Sequence, residues 1–583
     1  MRLNEEQRTA VAAEGNAYIQ ACPGSGKTRV LVAKALRDVN RVAATPRKIA
    51  CITFTNAAVD EMQGRLGFLA AATEATSVDV GTIHSFCLQN IFKPFRCRTA
   101  DYANGFEIVS AEEDRAKELF NEIAVRLGHG GASQRSFDAL SQVAIDLQGG
   151  PVAERLDGWI RDCIVAYWVE FRRRGWIDFS LLLFESLQIL RSHGEICASL
   201  SAKFKILLVD EFQDTTGIQL EIFSRIHSAG STSFFLVGDP HQSIYRFAGA
   251  SVEAAVKFVK SIGAACDYPL SGNFRSTARI VQVAERLLTR EPPMQAVGEW
   301  AAAETDVTIQ KTSSVPQAIV EQFVPAVHRL GLSLGSSAVL AAWWTDLLPI
   351  ARQCYRSGIA VVGPGARPYR RGRLIVPLLE NMAAVVSQAG ALRSTQRALA
   401  RSVNEIAGGD ANHVVGWRGR LVALELHDAA REAAAIDPAP LRWIVDIGGR
   451  IDQILAVHQI VNTDAFLMSA REVVADIHIY AQRDRIDLNL MTIGNLGLFA
   501  DPKNALKLLT VHTSKGREFD AVAIVHMNEG RFPHFMASTD AQIEDGRRAA
   551  YVGITRAKRV LHFYVDTSDR RNAESRFVGE CCG

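Results

Sequence analysis

Ala17-Tyr18-Ile19-Gln20-Ala21-Cys22-Pro23-Gly24-Ser25-Gly26-Lys27-Thr28 decides the fold class of this 583-residue chain. Ala17 to Ala21 reads as a short apolar strand, and Arg29 to Asp38, beyond the glycine loop, reads as a helix. Strand, glycine loop and helix in that order bring backbone N–H groups and the positive end of a helix to one point, which suits a phosphate group. The pattern G-x-x-x-x-G-K-[ST] is met except at its first position, where Ala21 stands. In that pattern Gly24, Ser25 and Gly26 form the cradle, Lys27 reaches the outer phosphates and Thr28 holds Mg2+. A chance glycine loop is the alternative. A second stretch decides against it: Leu207-Leu208-Val209-Asp210-Glu211 is an apolar strand ending in two acids. In such a place an Asp holds the metal, and a neighbouring Glu polarises an attacking water.

Further strands are expected at Ile49 to Phe54, Lys205 to Val209 and Ser233 to Val237, with helices between them. That alternation predicts α/β architecture with a parallel sheet, whose ligands gather at the carboxyl ends of the strands. Residues 110–200 and much of 376–500 read as helical insertions. At about 150 residues per domain, the length suits roughly four parts. No apolar run reaches the roughly eighteen residues a membrane span needs. The opening MRLNEEQRTA carries no apolar leader, so a cytoplasmic protein is expected. The net charge of +2 excludes a whole-protein basic field, so any nucleic-acid site has to be a local groove. The cysteines form no C-x-x-C pair, and buried reduced thiols are expected, with no zinc or iron–sulfur site.

Ile206 to Thr215 (I-L-L-V-D-E-F-Q-D-T) and Val237 to Phe247 (V-G-D-P-H-Q-S-I-Y-R-F) resemble the UvrD/Rep/PcrA group of superfamily-1 DNA helicases. The resemblance runs nearly end to end, in the family's order. Leu3 to Gln7 is similar to its adenine-reading Q motif. Thr53 to Ala58 with Glu61-Met62, and Gly81 to Phe86, are similar to its first strand-binding motifs. Asp178-Phe179 with Leu181 to Leu183 resembles D-F-x-x-L-L, and Asn273 to Ser276 resembles N-Y-R-S. Val511 to Asp520 resembles V-H-x-S-K-G-L-E-F-D, and Tyr551 to Lys558 resembles Y-V-A-x-T-R-A.

The resemblance implies two RecA-like P-loop NTPase cores with parallel sheets, each carrying a mostly helical insertion. The first core takes 1–91 and 198–273, with its insertion at 92–197. The second takes 274–378 and 504–583, with its insertion at 379–503. ATP and Mg2+ are implied, with Lys27, Asp210, Glu211, Gln242, Arg275 and Arg556 as catalytic groups. Gln7 reads the adenine edge, Arg29 and Phe274 sandwich the ring, and Glu518 contacts the ribose side. Thr28 and Asp210 hold the metal, and Gln242 senses the γ-phosphate. Arg275 and Arg556 come from the second core as arginine fingers, a role worth about 10³–10⁵ in rate. Phe54, His84, Tyr245 and Phe247 offer faces to single-stranded DNA; Asn56, Thr82, Ser85, His512 and Lys515 offer polar contacts.

The implied activity is a 3′→5′ single-stranded DNA translocase and helicase in DNA repair or replication restart, acting at single-strand/duplex junctions. Two other readings stand beside it. One is the ATPase subunit of an antiphage defence complex of the Gabija type, partnered with a separate nuclease. The other is an ATPase switch that binds a protein and no DNA. Altered strand contacts and a short C-terminus motivate the first of these: Ala57 and Ala248 stand where basic residues are common, and Phe247 where tryptophan is common, while Trp343-Trp344 and Leu374 to Pro377 stand apart from these in stretches usually more charged. Only six residues follow Phe577, so no fused nuclease domain or long tail is expected. The runs Arg172-Arg173-Arg174 and Arg367, Arg370, Arg371, Arg373 read as solvated faces, with duplex contact as the alternative.

Overall fold

The strand that opens the glycine loop lies inside a six-stranded sheet. The computed structural model describes residues 2–42, 45–69, 77–152, 156–387, 396, 398–403, 417–460 and 464–583. Helix α1 is Glu5–Ala12 and β1 is Ala17–Ala21; α2 is Lys27–Val42. Strands β2 (Lys48–Thr53), β3 (Val78–Thr82), β4 (Phe204–Val209), β5 (Ser233–Gly238) and β6 (Ala265–Leu270) complete the sheet, in the order β6-β1-β5-β4-β2-β3. Every pairing in it is parallel. A parallel sheet is covered on both faces, so its strands carry runs of apolar residues rather than an alternation. Ile206, Leu207, Leu208 and Val209 are accordingly all buried, as are Phe234 to Val237.

The second sheet is built alike. Strands β7 (Asp306–Thr312), β8 (Ser337–Ala341), β9 (Val361–Val362), β10 (Leu506–Thr510), β11 (Phe519–Ile524) and β12 (Ala557–Asp566) lie in the order β7-β12-β11-β8-β10-β9, all parallel. The α/β class with two parallel-sheet cores is therefore as expected. Between β3 and β4 the chain is mostly helical, as it is between β9 and β10 wherever it is described. Part of the expected 379–503 insertion, including 404–416, lies outside the described residues.

The chain forms two compact units: Met1–Ala303 with Ser538–Thr555, and Glu304–Ala537 with Arg556–Gly583. Each includes its own helical stretch. The expected boundary before Phe274 falls instead after Ala303, because the chain leaving β6 turns back on the first sheet. Gly272–Asn273 pairs with Gln295–Ala296, and the chain first enters the second sheet at β7. Two further helices belong to the first unit: α3 (Ala278–Leu287), and α4 (Asp540–Ile554), which is encoded late in the sequence.

Candidate functional site

Residues 22–26 leave the carboxyl end of β1 and enter α2 directly at Lys27, two residues before the expected start at Arg29. Gly24 and Gly26 hold φ at +71° and +82°, a region that favours glycine. A Cβ at Gly24 would stand 2.7 Å from that of Arg275, so the loop and the N-F-R-S stretch are in close contact. Hydrogen bonds fix the contact: Phe274 N–H donates to Gly24 O (2.9 Å) and Asn273 Nδ2 to Pro23 O (2.9 Å). Asn273 Oδ1 accepts from the N–H groups of Arg275 and Ser276, both at 2.8 Å. Arg275 is thus part of the first unit, correcting its assignment to the second; its Nη1 donates to Thr555 O (2.8 Å).

Gln7 closes the other side of the loop. It is buried, caps its own helix reciprocally with Asn4, and donates from Nε2 to Ser25 O at 2.8 Å. Glu6 accepts from the N–H and hydroxyl of Ser271, tying α1 to the end of β6. Arg29 is exposed on the first turn of α2, and Phe274 is half-buried beside the loop.

The acids stand at the end of β4. Lys27 Nζ donates to Glu211 Oε2 at 3.3 Å. Glu211 is one of few non-glycine residues with positive φ, at +48°. Burial first, and Glu211 second, push the Asp210 carboxyl up to about 7. Gln213 Nε2 donates to Glu211 Oε2 (2.6 Å), and Gln213 Oε1 accepts from Asp239 N–H (2.8 Å). The fully buried Asp239 accepts from Gln242 Nε2 (2.6 Å) and from Arg290 Nη1 (2.6 Å). Lys27, Asp210, Glu211, Gln242 and Arg275 therefore belong to one unit. Asp239 lay inside a stretch singled out by sequence without a role of its own, and nothing in sequence marked Arg290.

The donor set suits a triphosphate. The buried Ser25 hydroxyl, in the middle of the loop, has no hydrogen-bond partner, and the loop has left-handed backbone on either side of it. Thr28 and Asp210 are oxygen donors of the kind Mg2+ takes.

An aromatic row follows the next strand ends. Phe54 and Tyr245 stack at 5.0 Å between centroids, and Phe247 lies 6.1 Å from Tyr245. Phe54 is 40% exposed and Phe247 47%, so neither serves as core. Phe179, missed by sequence except within D-F-x-x-L-L, is 53% exposed and sits edge-on to His84 at 5.3 Å. Asn56 is exposed at the start of its helix, and Thr82 accepts from Ser85 N–H as a helix cap.

In the second unit, His512 and Lys515 are half-buried in the turn after β10. Glu518 is paired with Lys558 (2.9 Å), and Arg556 is buried, donating to Arg517 O (3.1 Å). Arg172, Arg173 and Arg174 are paired with Glu185 or Glu170, and Arg367, Arg370 and Arg373 with Glu380, Asp476 or Glu472. No described helix is long and apolar enough to cross a membrane.

Residues 3–263 match the model of the UvrD/REP helicase N-terminal domain, and residues 471–567 that of the UvrD-like helicase C-terminal domain. DNA helicase II of Escherichia coli K12 is 26% identical over 99% of this chain and 87% of its own length. The ATP-dependent DNA helicase PcrA of Leuconostoc citreum is 25% identical over 99% and 84%. PcrA of Staphylococcus aureus Mu50 is 24% identical over 99% and 86%.

Proposed function

Since the chain belongs to the UvrD-like helicase family, we propose that it is an ATP-dependent DNA helicase that moves 3′→5′ along single-stranded DNA and parts the duplex ahead. One observation carries the reading. A phosphate-type loop, a strand-end Asp-Glu pair and a buried glutamine share a polar network, and half-exposed aromatic rings follow in the same segment as that glutamine.

In this reading the loop amides, the Ser25 hydroxyl and Lys27 bind the phosphates of ATP, while Gln7, Arg29 and Phe274 hold the adenine. Thr28 and Asp210 hold Mg2+, which when bound offsets charge on the outer phosphates. Glu211 takes the proton of the attacking water. The bonds from Lys27 and Gln213, which hold its carboxylate against the loop, support this role. Gln242 orients the water and the γ-phosphate. Arg275 and Arg556 stabilise the developing charge, and Glu518 contacts the ribose. On the DNA side, Phe54, Tyr245, Phe247 and His84 stack with bases, and Asn56, Thr82, His512 and Lys515 hold the backbone. The cellular role is repair or replication restart in the cytoplasm, at single-strand/duplex junctions.

ATPase with and without single strands, together with unwinding of duplexes bearing a 3′ or a 5′ tail, tests this. Strand-stimulated turnover and a 3′-tail preference are expected. Turnover indifferent to DNA would overturn the reading. The alternative, an antiphage ATPase subunit beside a separate nuclease, is favoured by Phe247 and Ala248 in place of the family's tryptophan and arginine. It predicts co-elution with a co-encoded nuclease and weak unwinding.

A further inference from the structure

Asp239 and Arg290 form a buried ion pair at 2.6 Å, with 0% and 5% of their side chains exposed. Burial opposes the Asp239 charge, but Arg290 and then Lys27 outweigh it and hold the carboxyl below its ordinary range. Burial also opposes the Arg290 charge, and Asp239 outweighs it. A buried pair of this kind adds little net stability, since a well-packed apolar pair does as well, yet breaking it from one side is costly. Its presence is better explained by what it joins.

Both Asp239 oxygens are in use. Oδ1 accepts from Arg290 Nη1 (2.6 Å) and His241 N–H (3.1 Å), and Oδ2 accepts from Gln242 Nε2 (2.6 Å). The same Arg290 Nη1 donates to the Tyr551 hydroxyl at 3.3 Å. Glu285 fixes the loop that carries Arg290, accepting from the N–H groups of Arg290 (3.2 Å) and Met294 (3.0 Å). On the other side, Asp239 N–H reaches Glu211 and Lys27 through Gln213. A continuous polar series, buried from Gln213 onward, thus runs from the glycine loop to α4. The chain leaves α4 for the second unit between Thr555 and Arg556.

We propose that Arg290 is a positioning residue for ATP hydrolysis: by clamping Asp239 it sets the pose of the Gln242 amide and joins that amide to Tyr551 on α4. The proposal rests on the reading of Gln242 as the phosphate-sensing group. Arg290 touches no reacting atom. Its loss leaves the nucleotide seat intact and disorders the group that acts on the outer phosphate.

The test uses the full chain, with a fluorescent ATP analogue for affinity, strand-stimulated turnover for kcat and KM, and melting temperature for folding. Arg290→Gln is expected to lower kcat about 10²-fold, the scale of losing one preorganised donor, while ATP affinity and KM change by less than about threefold. Arg290→Lys, which keeps the charge but not the planar fork, is expected to recover about a tenth of the lost rate or more. A folded Arg290→Gln with parent-like kcat, or with affinity and kcat falling in proportion, overturns the proposal. If the unpaired Asp239 unfolds that variant, Asp239→Asn/Arg290→Gln decides, because it removes both charges and keeps an acceptor for Gln242. Parent-like turnover there overturns the proposal, and a kcat loss with ATP affinity retained supports it. Glu211→Gln run in parallel separates the two failures. If it is inactive while Arg290→Gln is active, only this inference falls; if it is active too, the reading of the site falls as well.

Discussion

Glu211 occupies left-handed backbone, φ +48° and ψ +42°, at a cost of roughly 1–3 kcal/mol for a residue with a side chain. Its surroundings hold it there: its N–H donates to Asp210 Oδ1 (2.9 Å), and its carboxylate accepts from Gln213 and Lys27. The strain turns the carboxylate back toward the glycine loop. Glu211→Gln preserves shape and removes the base, so ATP binding is expected to persist while turnover falls about 10²–10⁴-fold. Binding of a fluorescent ATP analogue and phosphate release check it, and normal turnover would remove Glu211 from the base role. His84 makes a different prediction. Burial lowers its imidazole to about 4, so the folded chain refuses a proton that the unfolded chain accepts at about 6.5. The unfolded state therefore binds more protons between those values, and stability falls as pH drops through that window. The difference in melting temperature between His84→Gln and the parent is expected to shift in the variant's favour from pH 6.5 to pH 4.5. A constant difference would mean that His84 does not titrate as its burial implies.

Among the elements, the turn from β6 into α3 does most to shape the site. Asn273 is buried, and its amide bonds Pro23 O, Arg275 N–H and Ser276 N–H at once. Asn273→Ala strands these groups, each worth about 1–3 kcal/mol when buried without a partner. A lower melting temperature and weaker ATP binding are expected together. Asn273→Asp keeps the acceptor for both N–H groups but turns a buried carboxylate oxygen toward Pro23 O, so it too is expected to lower the melting temperature, and by less at low pH where the carboxyl is protonated. The glycine loop was legible in sequence because its residue types have few other uses. β4 and β5 were legible because strands covered on both faces are uniformly apolar. α2 starts two residues before the expected Arg29 because the helix begins inside the phosphate signature, at Lys27. The placement of Arg275 was not legible. It depends on Asn273 reaching a carbonyl 250 positions earlier in the chain, and local spacing carries no trace of that. Arg290 was equally hidden: a lone arginine before Glu291-Pro292 has the look of a surface residue until tertiary packing buries it against Asp239.

At the scale of the whole molecule, the long-range join of α4 to the first unit was likewise beyond sequence reading, since an element from 540–554 packs with one formed by 1–303. Charge was legible, and the structure sharpens its consequence. The net charge is +2, and Arg172, Arg173, Arg174, Arg367, Arg370 and Arg373, from the runs that offered the clearest basic faces, are engaged with carboxylates. Proteins that hold DNA chiefly through phosphates lose affinity steeply with salt, with a slope of about −0.7 per phosphate neutralised on single strands. Under the proposed function the half-exposed rings Phe54, Phe179 and Phe247 would supply the grip, and stacking is worth about 1–3 kcal/mol per base. Plotting log affinity for a single strand against log salt is therefore expected to give a slope shallower than about −3, the value for some four phosphates. Phe247→Ala should lower the whole line by about 5- to 100-fold without tilting it, because what it loses is contact area rather than charge. It should also cut strand-stimulated ATPase more than the basal rate. A steep slope, with a Phe247→Ala line lying on that of the parent, would mean that phosphate contacts carry the strand and that Phe247 belongs to packing.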